Sequence, residues 1–107
     1  MIGVDLVKIS RFEDPKKHQK KFISRFLNEQ EIETFENILN FEDKSVFLAK
    51  TWAVKEAIFK ADNFYSNFRN INLKKVNNKI IFENFEISIS HEDDFLVAFV
   101  LKKGKND

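Results

Sequence analysis

From residue 44 to about residue 62 the chain runs without a glycine or a proline, and Val46, Phe47, Leu48, Trp52, Ala53, Ala57 and Phe59 recur along it at helical intervals. This is the longest helical pattern in the sequence. With 107 residues in all, the chain has room for one compact domain and for no second. Around the long helix the other elements fall into place by local pattern. Ile2, Val4 and Leu6 alternate with Gly3, Asp5 and Val7, which predicts an opening strand with Asp5 on the face opposite Ile2, Val4 and Leu6. Pro15 interrupts a basic segment, and a short helix is expected through Phe22, Ile23 and Phe26. Asn28 and Glu31 have the spacing of an N-cap and its return partner, starting a second helix with Ile32, Phe35, Ile38 and Leu39 on one face. Residues 63–70 read as a loop. Segments 71–76, 79–82, 85–90 and 95–101 read as strands. Asn77 and Asn78 suit a tight hairpin turn, because asparagine tolerates positive φ, and Glu92 to Asp94 suits the last turn. Residues 102–107 are expected to fray. The order of one strand, three helices and several strands predicts a single α+β domain over 1–107, antiparallel and β-rich in its C-terminal half.

Composition narrows the chemistry. Cysteine is absent, so disulfides and thiolate metal sites are excluded, and any metal must be held by oxygen or histidine ligands, which favours a hard cation such as magnesium. No apolar run approaches the roughly 20 residues that cross a bilayer, and no basic region followed by an apolar stretch opens the chain. A cytoplasmic protein without a membrane partner is expected. The formal net charge of +1 argues against general nucleic-acid binding. That average hides a basic segment: between positions 8 and 25 seven cations (Lys8, Arg11, Lys16, Lys17, Lys20, Lys21, Arg25) face two anions (Glu13, Asp14), a local charge of +5. Such a patch steers acidic partners whatever the charge of the whole chain. A domain this small also leaves much surface poorly buried, so self-association is expected.

Taken singly, the candidate residues allow plain alternatives. Asp5 in an apolar strand, where an unpaired carboxylate would be costly, is either a functional carboxylate or a residue exposed or salt-bridged on a sheet edge. Glu56 lies one turn after Trp52 and one turn before Lys60, so it is either part of a site or half of an ordinary i,i+4 pair with Lys60. Lys55 reads alone as a surface charge, and His91, after Ile87-Ser88-Ile89-Ser90, as a structural histidine.

Together these residues form a recognisable set. Gly3-Val4-Asp5-Leu6-Val7 followed by Arg11-Phe12 resembles the opening of the holo-acyl-carrier-protein synthases, the short members of the phosphopantetheinyl transferases. Trp52-Ala53-Val54-Lys55-Glu56-Ala57-Ile58-Phe59-Lys60-Ala61 resembles their central helix, and Ser88-Ile89-Ser90-His91 their late strand end. Phe22, Arg25, Phe26 and Leu27 are similar to the segment before their second helix.

The resemblance implies transfer of 4′-phosphopantetheine from coenzyme A to a serine of apo-acyl carrier protein, leaving adenosine 3′,5′-bisphosphate, in support of fatty acid and lipid biosynthesis. It implies magnesium on Asp5 and Glu56, with Glu56 or a metal-bound water taking the serine proton and Lys60 near the leaving phosphate. Lys55 and His91, and more weakly Arg25, are implied as holding the nucleotide phosphates. Arg11, with Lys8, Lys16, Lys17, Lys20 and Lys21, would meet the acidic carrier protein. A homotrimer with sites between protomers is implied by the short chain. Three departures from the family's pattern stand out: the segment Asp62-Asn63-Phe64-Tyr65-Ser66-Asn67 has no glycine, Asn77-Asn78-Lys79 replaces a Gly-Lys-Pro turn, and Thr51 stands where arginine is common. The competing reading is a non-catalytic module that binds an acidic protein or RNA through segment 8–25.

Overall fold

The computed structural model describes residues 1–104. Strand β1 (Ile2–Lys8) leads through 3-10 turns at Ile9–Phe12 and Pro15–His18 into helices α1 (Lys20–Ile23), α2 (Glu29–Glu36) and α3 (Phe41–Ala61). A further 3-10 turn, Phe68–Asn70, precedes strands β2 (Lys74–Val76), β3 (Lys79–Ile81), β4 (Phe85–Glu92) and β5 (Phe95–Lys102). The expected α+β domain is the one observed. β1, β5 and β4 form an antiparallel sheet in that order, with β5 in the middle, and β2 and β3 form a separate antiparallel ribbon.

α3 begins earlier than its apolar pattern does, because the Asn40 side chain accepts a hydrogen bond from the Asp43 N–H at 2.9 Å and caps the first turn. The α2 start is the expected capping box: Asn28 Oδ1 accepts from the Glu31 N–H and Glu31 Oε1 from the Asn28 N–H, both at 2.9 Å. α2 stops at Glu36, however, with Asn37 as its C-cap. Ile38 and Leu39 are therefore outside the helix, and Leu39 is fully exposed. The short helix expected after Pro15 is a single α turn behind a 3-10 turn. There the His18 imidazole bonds the Phe12 carbonyl oxygen at 2.7 Å and stacks on Phe41. Asn77 and Asn78 take φ values of 52° and 63°, the pair of positive angles that a two-residue hairpin requires. Residues 71–73 do not join the strand expected there; β2 is only three residues long.

β1 shows which side of a strand a glycine selects. Gly3, Asp5 and Val7 face α3, and a Cβ on Gly3 would lie 1.9 Å from the Ala57 carbonyl oxygen. Only a residue without a side chain lets strand and helix backbones touch in this way. The apolar set Ile2, Val4 and Leu6 consequently points out of the sheet and is exposed. Across it, Val4 pairs with Phe99 and Ile2 with Leu101, which are also exposed. The outer face of the sheet is thus an uncovered apolar surface. The core lies on the other face, between sheet and α3, with Ala53, Ala57, Leu96, Ala98 and Val100 wholly buried. On the far side of α3 a ladder of rings (Phe12, Phe26, Trp52, Phe68) uses part of the chain's 13 phenylalanines. At the C-terminus, residues 102 and 103 are tied down rather than frayed: the Lys103 N–H donates to the Asn84 carbonyl at 2.9 Å and its ammonium meets Glu86 at 2.8 Å. The remainder of the tail expected to fray, 105–107, lies outside the described residues.

Candidate active site

Because β1 touches α3 at Gly3, the next inward residue, Asp5, is held against the last turns of the helix. Lys60 Nζ reaches across and donates to Asp5 Oδ1 at 3.0 Å and to the Val4 carbonyl at 3.2 Å. The Asp5 side chain is only 12% exposed, while that of Lys60 is 49% exposed. Asp5 is thus salt-bridged on an edge strand, and shielded as well. The ordinary Glu56–Lys60 pair does not form. Glu56, half-buried and one turn before Lys60, makes no hydrogen bond or ion pair among the described residues. An unengaged, partly shielded carboxylate one helical turn from the lysine that meets Asp5 has its lone pairs free for a proton or a cation.

The donor set suits a hard divalent cation. Asp5 and Glu56 offer carboxylate oxygens, and no group of three or more histidine or acidic residues gathers anywhere among the described residues. A cation here would complete its shell with water and ligand oxygens, as magnesium does.

Lys55, implied as a phosphate holder, is placed differently. Its side chain is 0% exposed, and its ammonium donates to the Phe26 carbonyl at 2.7 Å, Glu31 Oε1 at 2.7 Å and the Phe68 carbonyl at 2.8 Å. An ammonium has three N–H donors, so none remains for a phosphate. Burial lowers its pKa, against the opposing pull of Glu31. Lys55 is a structural tie that joins α3 to the start of α2 and to the turn at Phe68.

His91 is exposed near the end of β4 and lines a groove of about 870 Å³ between α2, α3, the β2–β3 ribbon and β4. Lys50, Lys74, Lys75 and Lys79 line the same groove. These four cations were missed in the sequence, where they read as ordinary charges on a helix and a hairpin; the clustering of Lys74, Lys75 and Lys79 around Asn77-Asn78 was the available signal. β4 and β1 are the two outer strands of the sheet, and the groove meets α3 at Phe47 and Thr51, whereas Asp5 meets it at the flank of Lys60. A single copy of the chain therefore does not bring His91 to Asp5.

Arg25 is not with His91 either. It lines a second depression, of about 610 Å³, with Arg11, Phe22, Trp52, Asn67 and Phe68. The Arg11 guanidinium lies 5.2 Å from the Trp52 ring centroid and 5.4 Å from that of Phe12, and Arg25 lies over Phe22. Trp52, in the wall of this depression, is one helical turn before Glu56. The basic segment around it is pinned at its start, where the Ser10 N–H donates to Asp94 Oδ1 at 2.8 Å. Lys8, Lys16, Lys20 and Lys21 are exposed, and Lys17 is half-buried over Phe12 and Phe22.

Comparison with known proteins adds a family. Residues 1–106 match the profile of the 4′-phosphopantetheinyl transferase superfamily. A holo-[acyl-carrier-protein] synthase of Mycoplasma mobile is 53% identical over 107 residues, covering 100% of this chain and 92% of that protein. One of Mycoplasmopsis pulmonis is 44% identical, covering 97% of this chain and 91% of that protein. Among solved structures, the Helicobacter pylori holo-[acyl-carrier-protein] synthase in complex with coenzyme A superposes with a TM-score of 0.75 at 30% identity, covering 96% of this chain and 100% of that one. The fold, the carboxylates and the matches all bear on one group-transfer chemistry.

Proposed function

The chain belongs to the 4′-phosphopantetheinyl transferase superfamily and transfers phosphopantetheine from coenzyme A to apo-acyl carrier protein; we propose that it does so through Asp5, Glu56 and Lys60, at a site completed by a second copy of the chain. The observation that carries this reading is the unengaged Glu56 carboxylate beside the Asp5–Lys60 contact. Asp5 and Glu56 would hold magnesium. Its chemistry when bound is neutralisation of charge on the diphosphate of coenzyme A. Glu56 accepts the proton of the attacking serine hydroxyl as the new serine–phosphorus bond forms. The phosphorus–oxygen bond to the nucleotide breaks, releasing adenosine 3′,5′-bisphosphate, and the Lys60 ammonium offsets the charge that gathers on the leaving phosphate. Lys60 is exposed enough to reach a ligand while its two bonds to β1 hold it in place. Both substrates are diffusible, and no described helix is long and apolar enough to cross a membrane; the same reading sets the reaction in the cytoplasm, supplying lipid synthesis.

Two observations support a shared site in a homo-oligomer, for which we propose a trimer. The apolar outer face of the sheet is uncovered in the single chain, and such patches mark interfaces. His91, with the lysines of its groove, is also separated from Asp5 by the width of the sheet; those cations suit nucleotide phosphates. Mixing inactive variants tests this. Asp5→Ala and His91→Ala proteins, each impaired alone at low coenzyme A, should regain about a quarter of normal activity after random exchange of subunits, because about one interface in four then joins two intact halves. No recovery after proven exchange would rule out the shared site.

Arg11 is proposed as the principal contact for the carrier protein, with Lys8, Lys16, Lys20 and Lys21 around it. Its guanidinium lies over the ring of Trp52, one helical turn before Glu56. Arg11→Glu should raise the KM for carrier protein on the order of tenfold while leaving coenzyme A binding nearly unchanged. An equal loss of coenzyme A affinity would contradict the docking role.

A further inference from the structure

The loop after α3 contains no glycine, and it is held by side chains that the chemistry above does not use. Asp62, the C-cap residue, donates its N–H to the Ile58 carbonyl at 2.9 Å. Its Oδ1 accepts from the Phe64 N–H at 3.0 Å, and its Oδ2 takes the Lys102 ammonium at 2.5 Å. Both members of the pair are largely shielded, with side-chain exposures of 17% for Asp62 and 26% for Lys102. Lys102 ends β5, and its main-chain N–H donates to the Met1 carbonyl at 2.8 Å. The ion pair therefore ties the end of α3 to the place where β5 meets the start of β1. A brace of rings backs it. Lys102 Nζ lies 5.4 Å from the Tyr65 ring centroid, the Tyr65 hydroxyl donates to Glu83 Oε1 at 2.8 Å, and the ring packs edge-on against Phe82 and Phe85.

Lys60 is two residues before Asp62, in the last helical turn. The final turn of a helix has unsatisfied carbonyls and frays unless something holds it. Here the holding group is charged, comes from the sheet, and lies beyond the strand whose Val4 and Asp5 receive the Lys60 ammonium. We infer that Asp62 and Lys102 act as a positioning pair for Lys60, fixing the last turn of α3 against β1 so that the ammonium stands beside Asp5. The inference rests on the role proposed above for Lys60.

The test compares Asp62→Asn, Lys102→Met, their double variant and Lys102→Arg, with Lys60→Ala as reference, in the transfer of phosphopantetheine to carrier protein. Asp62→Asn keeps an oxygen for the Phe64 N–H and carries the test if Lys102→Met does not fold. Each single variant should lower kcat on the order of tenfold with the KM for carrier protein unchanged, since small displacements of a reacting group are costly. The double variant should lose no more than either single one, and Lys102→Arg should keep most of the activity. Tyr65 is the chain's one tyrosine; its pKa is raised by burial and by Glu83, with Lys102 pulling the other way. Phenolate absorbance in Lys102→Met should therefore titrate at still higher pH than in the unmodified protein and in Lys102→Arg. Normal kcat in the folded single variants, additive losses in the double variant, or an unmoved Tyr65 titration would overturn the inference. Normal kcat in Lys60→Ala would remove the role of Lys60, and the inference with it. A crippled Lys60→Ala beside normal pair variants would remove the inference alone.

Discussion

Glu56→Ala is expected to lower kcat by on the order of a thousandfold, because it removes both the proposed cation ligand and the proposed proton acceptor. Its thermal stability should stay within about 0.5 kcal/mol of the unmodified protein, as befits a side chain with no ionic or hydrogen-bonding partner to lose. Asp5→Ala should also abolish most turnover, but with a different signature. It leaves Lys60 Nζ with the Val4 carbonyl as its only acceptor among the described residues and should raise the magnesium concentration needed for half-maximal rate. Steady-state assays over a magnesium series separate the two variants. Near-normal turnover by both would refute the assignment of the carboxylates while leaving the family untouched.

The largest effect on folding is expected at Lys55. Lys55→Met leaves the Glu31 carboxylate 11% exposed and without its cation, and frees the carbonyls of Phe26 and Phe68. Breaking one side of a buried ion pair costs roughly 3–5 kcal/mol, which in a domain of this size lowers Tm by at least about 12 °C. Adding Glu31→Gln should recover part of that loss by removing the stranded charge, although Glu31 also caps α2. At temperatures where Lys55→Met is still folded, its KM for coenzyme A should be close to normal. A raised KM with an unchanged Tm would return Lys55 to the phosphate site. Scanning calorimetry and initial rates at a low temperature distinguish these outcomes.

Lys55 also illustrates how much of the molecule the sequence discloses. The capping box at Asn28 and Glu31, the hairpin turn at Asn77 and Asn78 and the length of α3 are local, and each was legible because its chemistry acts within a few residues. What a lysine in the middle of a helix does depends on chain that comes back from far away, here Phe26, Glu31 and Phe68. No helical spacing could reveal that. The same holds for Glu56 and Lys60, which have the spacing of a pair and do not form one because β1 offers Lys60 a better-placed carboxylate and a carbonyl. In β1 the apolar alternation was clear, but its direction was not. The alternation set Asp5 opposite Ile2, Val4 and Leu6 without saying which face is covered, and the closeness that Gly3 permits turns the sparser face inward. Asp5, Glu56 and Lys60 were picked out by family resemblance rather than by pattern, and the separation of His91 from them is a matter of strand order, which composition does not encode.

The contact at Gly3 gives the proposed catalytic centre an unusual kind of ruler. Elsewhere in proteins the gap between a strand and a helix is set by the girth of interposed side chains, and it swells or shrinks as they are exchanged. At Gly3 the main chains of β1 and α3 meet with nothing between them, so the span from Asp5 to the Glu56–Lys60 flank is gauged by peptide geometry alone. Repacking the ring ladder on the other side of α3, even severely enough to soften the domain, would leave that gauge unaltered. A single methyl group at position 3 would prise the two halves of the proposed cation site apart.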